Sequence, residues 1–475
     1  MYTVSMRIIF CTLLCLWSSL LAAGETSDPF GTEAMLPLKP ALRLGNAVGD
    51  PCTGAIPNRA LNLSDVVNLA LCNNTQTREA WANSRFQAAQ VGVNKAKYMP
   101  GASLSASANR NKSGAAASVD QRSIDATLSY LLYDFGLRAA NLENARQLLA
   151  AAIATQDSTV QTVFLDTVRA FYQAQAAIAA LDAALESERA AKESFAAAEA
   201  RYIAGGATPA DKLQARTAYS QASLNRITAD GSLKNAQGAL ANMVGLDANR
   251  NVFLAAADTG MMPDDFEGDI NALIEEARRR RPDLQAAAAQ VRAAEASADA
   301  ARSADRPSIT LNASSGQNSS TGTSSRSSLV GINLSAPIFS GYVPTYRIRA
   351  AEAQVDAKNI QMERLRLQVA LDVWAAYQNL ITATQSLRST ADLLDSAEQS
   401  ARVALGRYKA GVGSILDVLN AQSALASARQ QRIQSTFNWN INRAALAQAM
   451  GNLDAGLLQN LSGTGSKINQ RNSTP

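Results

Sequence analysis

Four short segments of the chain alternate strictly between apolar and polar residues, which is the pattern of a β-strand with two different faces. They occupy residues 102–108, 124–130, 309–313 and 332–336. One face carries Ala, Leu and Ile, and the other carries mainly Ser, Thr and Asn. A turn-like stretch at 109–121 separates the first two segments, and a Ser/Thr/Gly-rich loop at 314–328 separates the last two. The pattern therefore predicts two β-hairpins that lie far apart in the sequence.

Long helical runs follow both hairpins. Residues 137–204 and 345–405 contain neither glycine nor proline and are rich in residues of high helix propensity. At 1.5 Å per residue each run predicts a helix of roughly 90–100 Å, whereas helices of globular proteins average about a dozen residues. We expect Ser64 to be the N-cap of the first of the shorter helices. These shorter helices are predicted at about 62–98, 209–246, 270–305 and 414–450.

The chain consists of two copies of one unit. The stretch that begins at Arg201-Tyr202 recurs 206 positions later at Arg407-Tyr408, with Arg, Tyr, Ala, Gly, Asp, Leu and Ala in the same places. The same offset relates Gly245 to Gly451 and Leu132-Tyr133 to Ile338-Phe339. Each copy is therefore predicted to contain a helix, a β-hairpin, a long helix and a return helix.

The repeated stretch predicts a tight turn between the long helix and the return helix. Thr208-Pro209 supplies a cap residue followed by proline at the first helical position. Ser414 is expected to cap the second return helix, with Asp417 three residues further on. A glycine-rich turn by itself indicates no more than a helix hairpin, and the length of the flanking helices makes these two unusual. The turn glycines are Gly205, Gly206 and Gly411.

Residues 1–23 have the features of a secretory signal peptide: Arg7, an apolar core at 8–21 and small residues at the cleavage site. The alternative, an anchoring helix, is less favoured because spanning a membrane takes about 20 apolar residues. No later stretch is expected to be a transmembrane helix. The remaining predicted boundaries are an N-terminal irregular segment at 24–60, the first repeat at 61–246, an inter-repeat equatorial segment at 247–269, the second repeat at 270–451, and a C-terminal equatorial segment with a disordered tail at 452–475.

Composition narrows the possible functions. The chain has 475 residues, no histidine and a formal net charge of +4, so neither a metal site nor nucleic-acid binding is expected. It shows no nucleophile elbow or phosphate loop, and we expect neither an enzyme nor a bound cofactor. Cys52 and Cys72 are the cysteines of the mature chain. An oxidising compartment favours a disulfide between them, and two free buried thiols are the alternative.

The hairpins are expected to form part of a transmembrane barrel wall. Strands of about ten residues, apolar on one face, cross a bilayer when tilted. A small soluble sheet is the alternative, but nothing at the far end of such long helices could bury its apolar face. Four strands cannot close, so two chains with eight strands or three with twelve are required. Aromatic residues at the helix-side ends of the strands fit a membrane interface, namely Tyr130, Tyr133, Phe135, Phe339 and Tyr342.

Several of these segments resemble the TolC family of outer-membrane channel-tunnel proteins. The resemblance is carried by residues 63–71, 132–136, 337–341 and, above all, the tip at 408–419. It implies a mainly α fold with transmembrane β-structure, in which a homotrimer forms a 12-stranded barrel and a long periplasmic coiled-coil tunnel. It also implies a passive conduit opened by a periplasmic adaptor and an inner-membrane ABC transporter. The segment that ends in Cys72-Asn73-Asn74, with Cys52 ahead of it, is most similar to the component that serves export of the adenylate cyclase–haemolysin toxin.

The family closes its tunnel through links between the helix hairpins, and the resemblance places these links at the tips. A tyrosine of the second tip and an aspartate of the first take part, and they correspond to Tyr408 and Asp211. The usual arginine partner falls on Gly413, which has no side chain, so we expect Arg407 or Lys409 to replace it.

A ring of carboxylates across the tunnel mouth falls on Asp417 and Asn420. One of the two is an amide, so the ring should carry less charge than is usual in the family. Like charges that face an aqueous constriction favour cations. For Asp211 and Asp417, ordinary first-turn helix charge is the alternative interpretation.

Other functions remain open. A small-molecule efflux channel would share the same architecture and would carry drug-like cargo instead of a protein. A periplasmic adaptor should have a β-rich lipoyl-like domain, and a trimeric adhesin should have a single C-terminal barrel segment. Neither feature is recognised in the sequence, so a channel of an export system in the outer membrane is favoured.

Overall fold

A computed structural model describes residues 28–36, 59–112, 114, 118–250, 252–255 and 269–452. The predicted signal peptide, most of the N-terminal segment, the centre of the inter-repeat segment and the C-terminal tail lie outside these residues. The described elements, in chain order, are α1 (Leu63–Asn73), α2 (Thr75–Ala96), β1 (Gly101–Asn111), β2 (Val119–Tyr133), α3 (Leu137–Ile203), α4 (Pro209–Met243), α5 (Ile270–Arg280), α6 (Pro282–Ser303), β3 (Ser308–Ser320), β4 (Thr323–Ser335), α7 (Val343–Lys409) and α8 (Ile415–Ala449), with a 3₁₀ turn at Glu33–Met35.

The two long helices, α3 and α7, have 67 residues each, and the two return helices, α4 and α8, have 35 each. The predicted long helices are thus confirmed, and each helix of the first repeat has the same length as its counterpart in the second. The described residues divide into two compact units. The first holds the described residues within 28–36, 84–150 and 290–356, and the second holds those within 59–83, 151–289 and 357–452.

The first unit contains a four-stranded antiparallel sheet in the order β1-β2-β3-β4. Directly paired residues lie on the same face of a sheet, so the register sorts the side chains. One row across all four strands is Ala102, Leu128, Ala313 and Val330. A row on the opposite face is Ser105, Asp125, Gly316 and Ser327. The sheet therefore has an apolar face, whose larger side chains are exposed, and a polar face.

The predicted loop at 314–328 is wrong. Strand β3 continues to Ser320 and β4 begins at Thr323, so only a two-residue turn separates them. Alternation ends near Ala313 and Val330 because residues 314–320 and 323–328 are polar or glycine on both faces, and because Leu329 places an apolar residue on the polar face. Ladder hydrogen bonds to β2 and between β3 and β4 extend the strands regardless of side-chain polarity.

The second unit has three apolar clusters. The largest joins α1, the middle of α3 and the ends of α4 and α8 around Phe164, which is fully buried. Another joins α5, α6, α7 and α8 through residues such as Val369 and Val373. The smallest lies where α3 and α4 meet α7 and α8, near the interhelical turns. Ala is abundant in all three clusters, which lets neighbouring helices approach closely.

Two details of the shorter helices differ from the prediction. Asn62, not Ser64, is the N-cap of α1, because its side chain accepts from the N–H of Asp65 at 2.8 Å in a capping box. The predicted helices at 62–98 and 270–305 are each broken once, at Asn74 and Arg281, which have extended backbones. Pro282 follows the second break, and the residue before a proline disfavours the helical conformation.

Candidate functional site at the hairpin tips

The turn between each long helix and its return helix closes on a glycine in the left-handed conformation. Gly205 has φ +77° and Gly411 has φ +82°. The N–H of Gly206 donates to the Arg201 carbonyl at 2.8 Å, and the N–H of Val412 donates to the Arg407 carbonyl at 3.0 Å. These bonds satisfy carbonyls that a helix end leaves free, and glycine adopts the required φ without steric cost. Both tips therefore share one backbone geometry.

The N-caps of the two return helices are Thr208 and Ser414, as the sequence predicted, and each helix begins with a reciprocal capping box. The Asp211 carboxylate accepts from the Thr208 N–H and hydroxyl, each at 2.9 Å. These hydrogen bonds, the N–H bond first, hold the pKa of Asp211 below its usual value, with a weaker contribution from the charge of Arg201. Asp417 accepts from the Ser414 N–H at 3.3 Å. Both aspartates therefore stabilise the start of their own helices.

Tyr408 lies in the apolar cluster shared by the two hairpins. It is 5% exposed and packs with two alanines of the first hairpin and two apolar residues of the second. Its hydroxyl is buried and has no hydrogen-bond partner among the described residues. The structure therefore brings the Tyr408 ring to the first hairpin but does not join its hydroxyl to Asp211. The other members of this cluster are Ala198, Ala215, Ile415 and Val418.

An arginine that sequence reasoning missed contacts Tyr408. Arg201 Nη1 donates to the Tyr408 carbonyl at 3.0 Å, and its guanidinium carbon lies 4.7 Å from the centre of the tyrosine ring. A guanidinium at this distance is attracted by the ring electrons. The recurrence of Arg-Tyr in both tips was the available signal, but sequence spacing could not show which arginine meets which tyrosine.

The environment of Gly413 explains the residue found there. An added Cβ would lie 3.0 Å from the Tyr408 nitrogen and 3.1 Å from the carbonyl carbon and Cβ of Arg407. A side chain at this position would require the end of α7 to move. Arg407 and Lys409 are exposed, and within the described chain their side chains form no ion pair or hydrogen bond. Their expected part in the lock thus remains a prediction.

Asp417 and Asn420 lie in the first turns of α8 and are both exposed. They are three residues apart, so they share one side of the helix. The carboxylate therefore keeps access to solvent while one oxygen accepts the capping bond. Both side chains are therefore accessible to solvent in the single chain.

The aromatic residues predicted at a membrane interface flank the strand-to-helix junctions of the first unit. Tyr133 and Phe135 form an edge-to-face pair with ring centres 4.7 Å apart, and Phe339 and Tyr342 form another at 5.8 Å. Tyr130 pairs across the sheet with an apolar residue, Leu311. Tyr133, Phe339 and Tyr342 are each more than half exposed, so the junctions present aromatic surface.

Cys72 is disulfide-bonded. Cys52 lies outside the described residues, so the pairing of the two stays a prediction. In the part of the chain that is described, no helix is long and apolar enough to cross a membrane. The same residues contain no group of three or more His, Cys, Asp or Glu side chains placed to hold a metal ion.

Known proteins match most of this chain. The profile of the family described as "Outer membrane efflux protein" matches residues 66–246 and 273–452. Protein CyaE of Bordetella pertussis is 32% identical over 402 residues, which cover 83% of this chain and 84% of that protein. Outer membrane protein TolC of Escherichia coli is 24% identical over 420 residues, covering 84% and 83%.

A solved structure shows the same fold. The Campylobacter jejuni CmeC outer membrane channel superposes with a TM-score of 0.73 at 20% identity, covering 88% of this chain and 95% of that chain. The fold is thus that of a TolC-like outer-membrane channel protein, as predicted. The chain belongs to the outer membrane efflux protein family, and it is an outer-membrane protein.

Proposed function

We propose that this protein is the outer-membrane channel of a type I secretion system. Three chains would form a 12-stranded barrel and a helical tunnel that acts as a passive conduit. The observation that carries the proposal is the four-stranded sheet, which exposes an apolar face and leaves β1 and β4 as edge strands in the chain. Unpaired edges are not tolerated in lipid, so copies of the sheet must join edge to edge.

Secretion of a protein is favoured over efflux of small molecules by the similarity to CyaE. That identity, 32%, exceeds the 24% identity to TolC over a similar share of the chain. We infer an exported protein of the RTX-toxin type, such as cyclolysin, and a periplasmic adaptor and ABC transporter as partners. The alternative function, a channel of a drug efflux pump, is supported by the family description.

The hairpin tips would form the gate at the periplasmic end. Gate contacts are assigned to Asp211, Tyr408, Arg407 and the turn around Gly413. The selectivity constriction is assigned to Asp417 and Asn420, because both are exposed on one side of α8. The exposed aromatic pairs at the junctions would mark the membrane interface.

Deleting the gene and comparing the proteins of the culture medium tests the proposal. We expect one large secreted protein to disappear, with its full-length form retained in the cells. An unchanged set of secreted proteins, together with a new sensitivity to detergents or dyes, would favour the efflux alternative. A heat-modifiable oligomer in the outer-membrane fraction is expected under either function, and a soluble monomer would contradict both.

A further inference from the structure

The two tips of one chain have similar sequences, but their side chains make different contacts. Tyr408 is 5% exposed, whereas its counterpart in the first repeat, Tyr202, is 40% exposed. Arg201 stacks on Tyr408 and donates to its carbonyl, whereas the counterpart Arg407 is exposed and makes no such contact within the described chain. One arginine and one tyrosine, from opposite tips, are therefore joined, and the other two are left at the surface.

Further polar contacts continue this link along the same two hairpins. Gln422 of α8 donates to the Ser194 hydroxyl of α3 at 3.0 Å. Arg429 of α8 lies 2.8 Å from a Glu186 oxygen of α3. Glu186, Ser194 and Arg201 follow one another at intervals of about two helical turns, so they lie on one side of α3. A polar seam, defined by these three contacts, thus connects the first hairpin to the second.

The chemistry of the seam suits a contact that must open. Partly exposed ion pairs and hydrogen bonds are individually weak and reform easily in water. Of the polar contacts in the seam, the Arg201–Tyr408 contact lies nearest to the turns. It uses the face of the ring and a main-chain carbonyl, and the Tyr408 hydroxyl takes no part. The contact also lies at the tip in which Gly413 is crowded by the backbone of Arg407 and Tyr408.

We propose that Arg201 is the residue that holds the two hairpins of each chain together in the closed channel, by its contact with the ring and carbonyl of Tyr408. This inference rests on the proposed function as a gated channel. The arginine that is usual in the family corresponds to Gly413 of the second tip, and Arg201 of the first tip would take its place. The adaptor would open the channel by separating the hairpins along the polar seam, beginning at this contact.

The test compares single-channel conductance of the full-length oligomer in planar bilayers. Arg201→Met should raise the ratio of open to closed channels about tenfold, since it removes a stacked cation and a charged hydrogen bond together. Arg201→Lys, which keeps the charge but not the planar fork, should give an intermediate ratio. Arg189→Met is the matched control, because Arg189 is exposed on the same helix and has no ion pair or hydrogen bond in the described chain.

Two variants of Tyr408 separate the ring from the hydroxyl. Tyr408→Leu removes the ring and should raise the ratio of open to closed channels about as much as Arg201→Met does. Tyr408→Phe keeps the ring and should open it less than Tyr408→Leu does. A larger effect of Tyr408→Phe would place the lock at the hydroxyl and overturn the assignment to Arg201.

The outcomes distinguish this inference from the proposed function. Wild-type protein that forms no conducting oligomer would refute the channel itself. A conducting wild type, with Arg201→Met indistinguishable from Arg189→Met, would leave the channel intact and overturn the role of Arg201. If Arg201→Met does not assemble as a heat-modifiable oligomer, Arg201→Lys is used for the test. A ratio of open to closed channels equal to that of the Arg189→Met control would then overturn the inference.

Discussion

Gly245 packs so closely against Asn73 that a Cβ at this glycine would lie 2.8 Å from the Asn73 carbonyl oxygen. Gly245 also has φ +79°, and the following Leu246 N–H closes the end of α4 on the Ala241 carbonyl at 2.9 Å. The second repeat has the same arrangement, with a Cβ at Gly451 only 3.1 Å from the Arg281 nitrogen. In both repeats the end of the return helix thus lies against the break in the shorter helix pair.

Gly245→Ala is therefore expected to destabilise the protein more than Gly205→Ala. Both glycines have positive φ, but a Cβ at Gly205 would meet nothing within 4 Å. Gly205→Ala should cost about 1 kcal/mol for the left-handed backbone, and Gly245→Ala a further 1–3 kcal/mol for the clash, on the order of other overpacked sites. Thermal unfolding of the detergent-solubilised protein, followed by circular dichroism, would measure the difference in stability between the two variants. Equal midpoints for the two variants would contradict the close contact at Asn73.

Asp417 and Asn420 offer a test of ion selectivity in both directions. If they face the constriction, Asp417→Asn should lower the preference for cations, and Asn420→Asp should raise it, because three copies of each change act together. The reversal potential in a salt gradient across a planar bilayer reports this preference. Shifts of the same sign in both variants, or no shift in either, would remove these residues from the constriction.

The cap at Asp211 should make the first tip sensitive to acid. The Thr208 hydrogen bonds lower the pKa of Asp211, so the carboxylate stabilises the folded tip above the ordinary pKa of aspartate. This stabilisation is lost as pH falls through the lowered pKa, that is, below about pH 4. Asp211→Ala should speed hydrogen exchange of the 208–213 amides at pH 7, and the difference from the wild type should shrink as the pH falls below about 4.

Asp230→Ala is the control for the acid experiment. Asp230 lies on the same helix and pairs with Lys234 at 2.7 Å, but it caps nothing. Its removal should leave the amides at the tip unchanged. Faster exchange at 208–213 in this variant too would show that charge on α4, and not the cap, controls the tip.

The disulfide of Cys72 is expected to join it to Cys52. A bridge between these positions would close a loop of about 20 residues and contribute roughly 3 kcal/mol in the chain-entropy picture. Mass spectrometry of peptides prepared without reductant should find the two cysteines linked. Reduction, or Cys52→Ser, should lower the unfolding midpoint, and a Cys72 peptide linked elsewhere would refute the pairing.

The helices and caps of the tips could be predicted because their signals are local. The absence of glycine and proline predicted the long helices. Thr208 and Ser414, each with an aspartate three residues further on, indicated where the return helices begin. The break at Arg281 also had a local signal in Pro282, and the break at Asn74 had one in the asparagine itself, whose side-chain oxygen accepts from the Gln76 N–H at 2.8 Å. The Asn74 amide also donates to the Met243 carbonyl at 3.2 Å, and no local pattern indicates this partner because it is distant in sequence.

The duplication, the two faces of the strands and the position of both tips are predictable from the sequence alone, because each depends on residues that are near one another or repeat at a fixed interval. The contact of Arg201 with Tyr408, the crowding of Gly413 against the end of α7 and the extension of β3 and β4 through a serine-rich stretch became evident only in the folded chain. The Arg201 contact and the pairing of β3 with β2 join segments that are far apart in the chain. The crowding at Gly413 is local, but it depends on how the tight turn folds back on Arg407 and Tyr408.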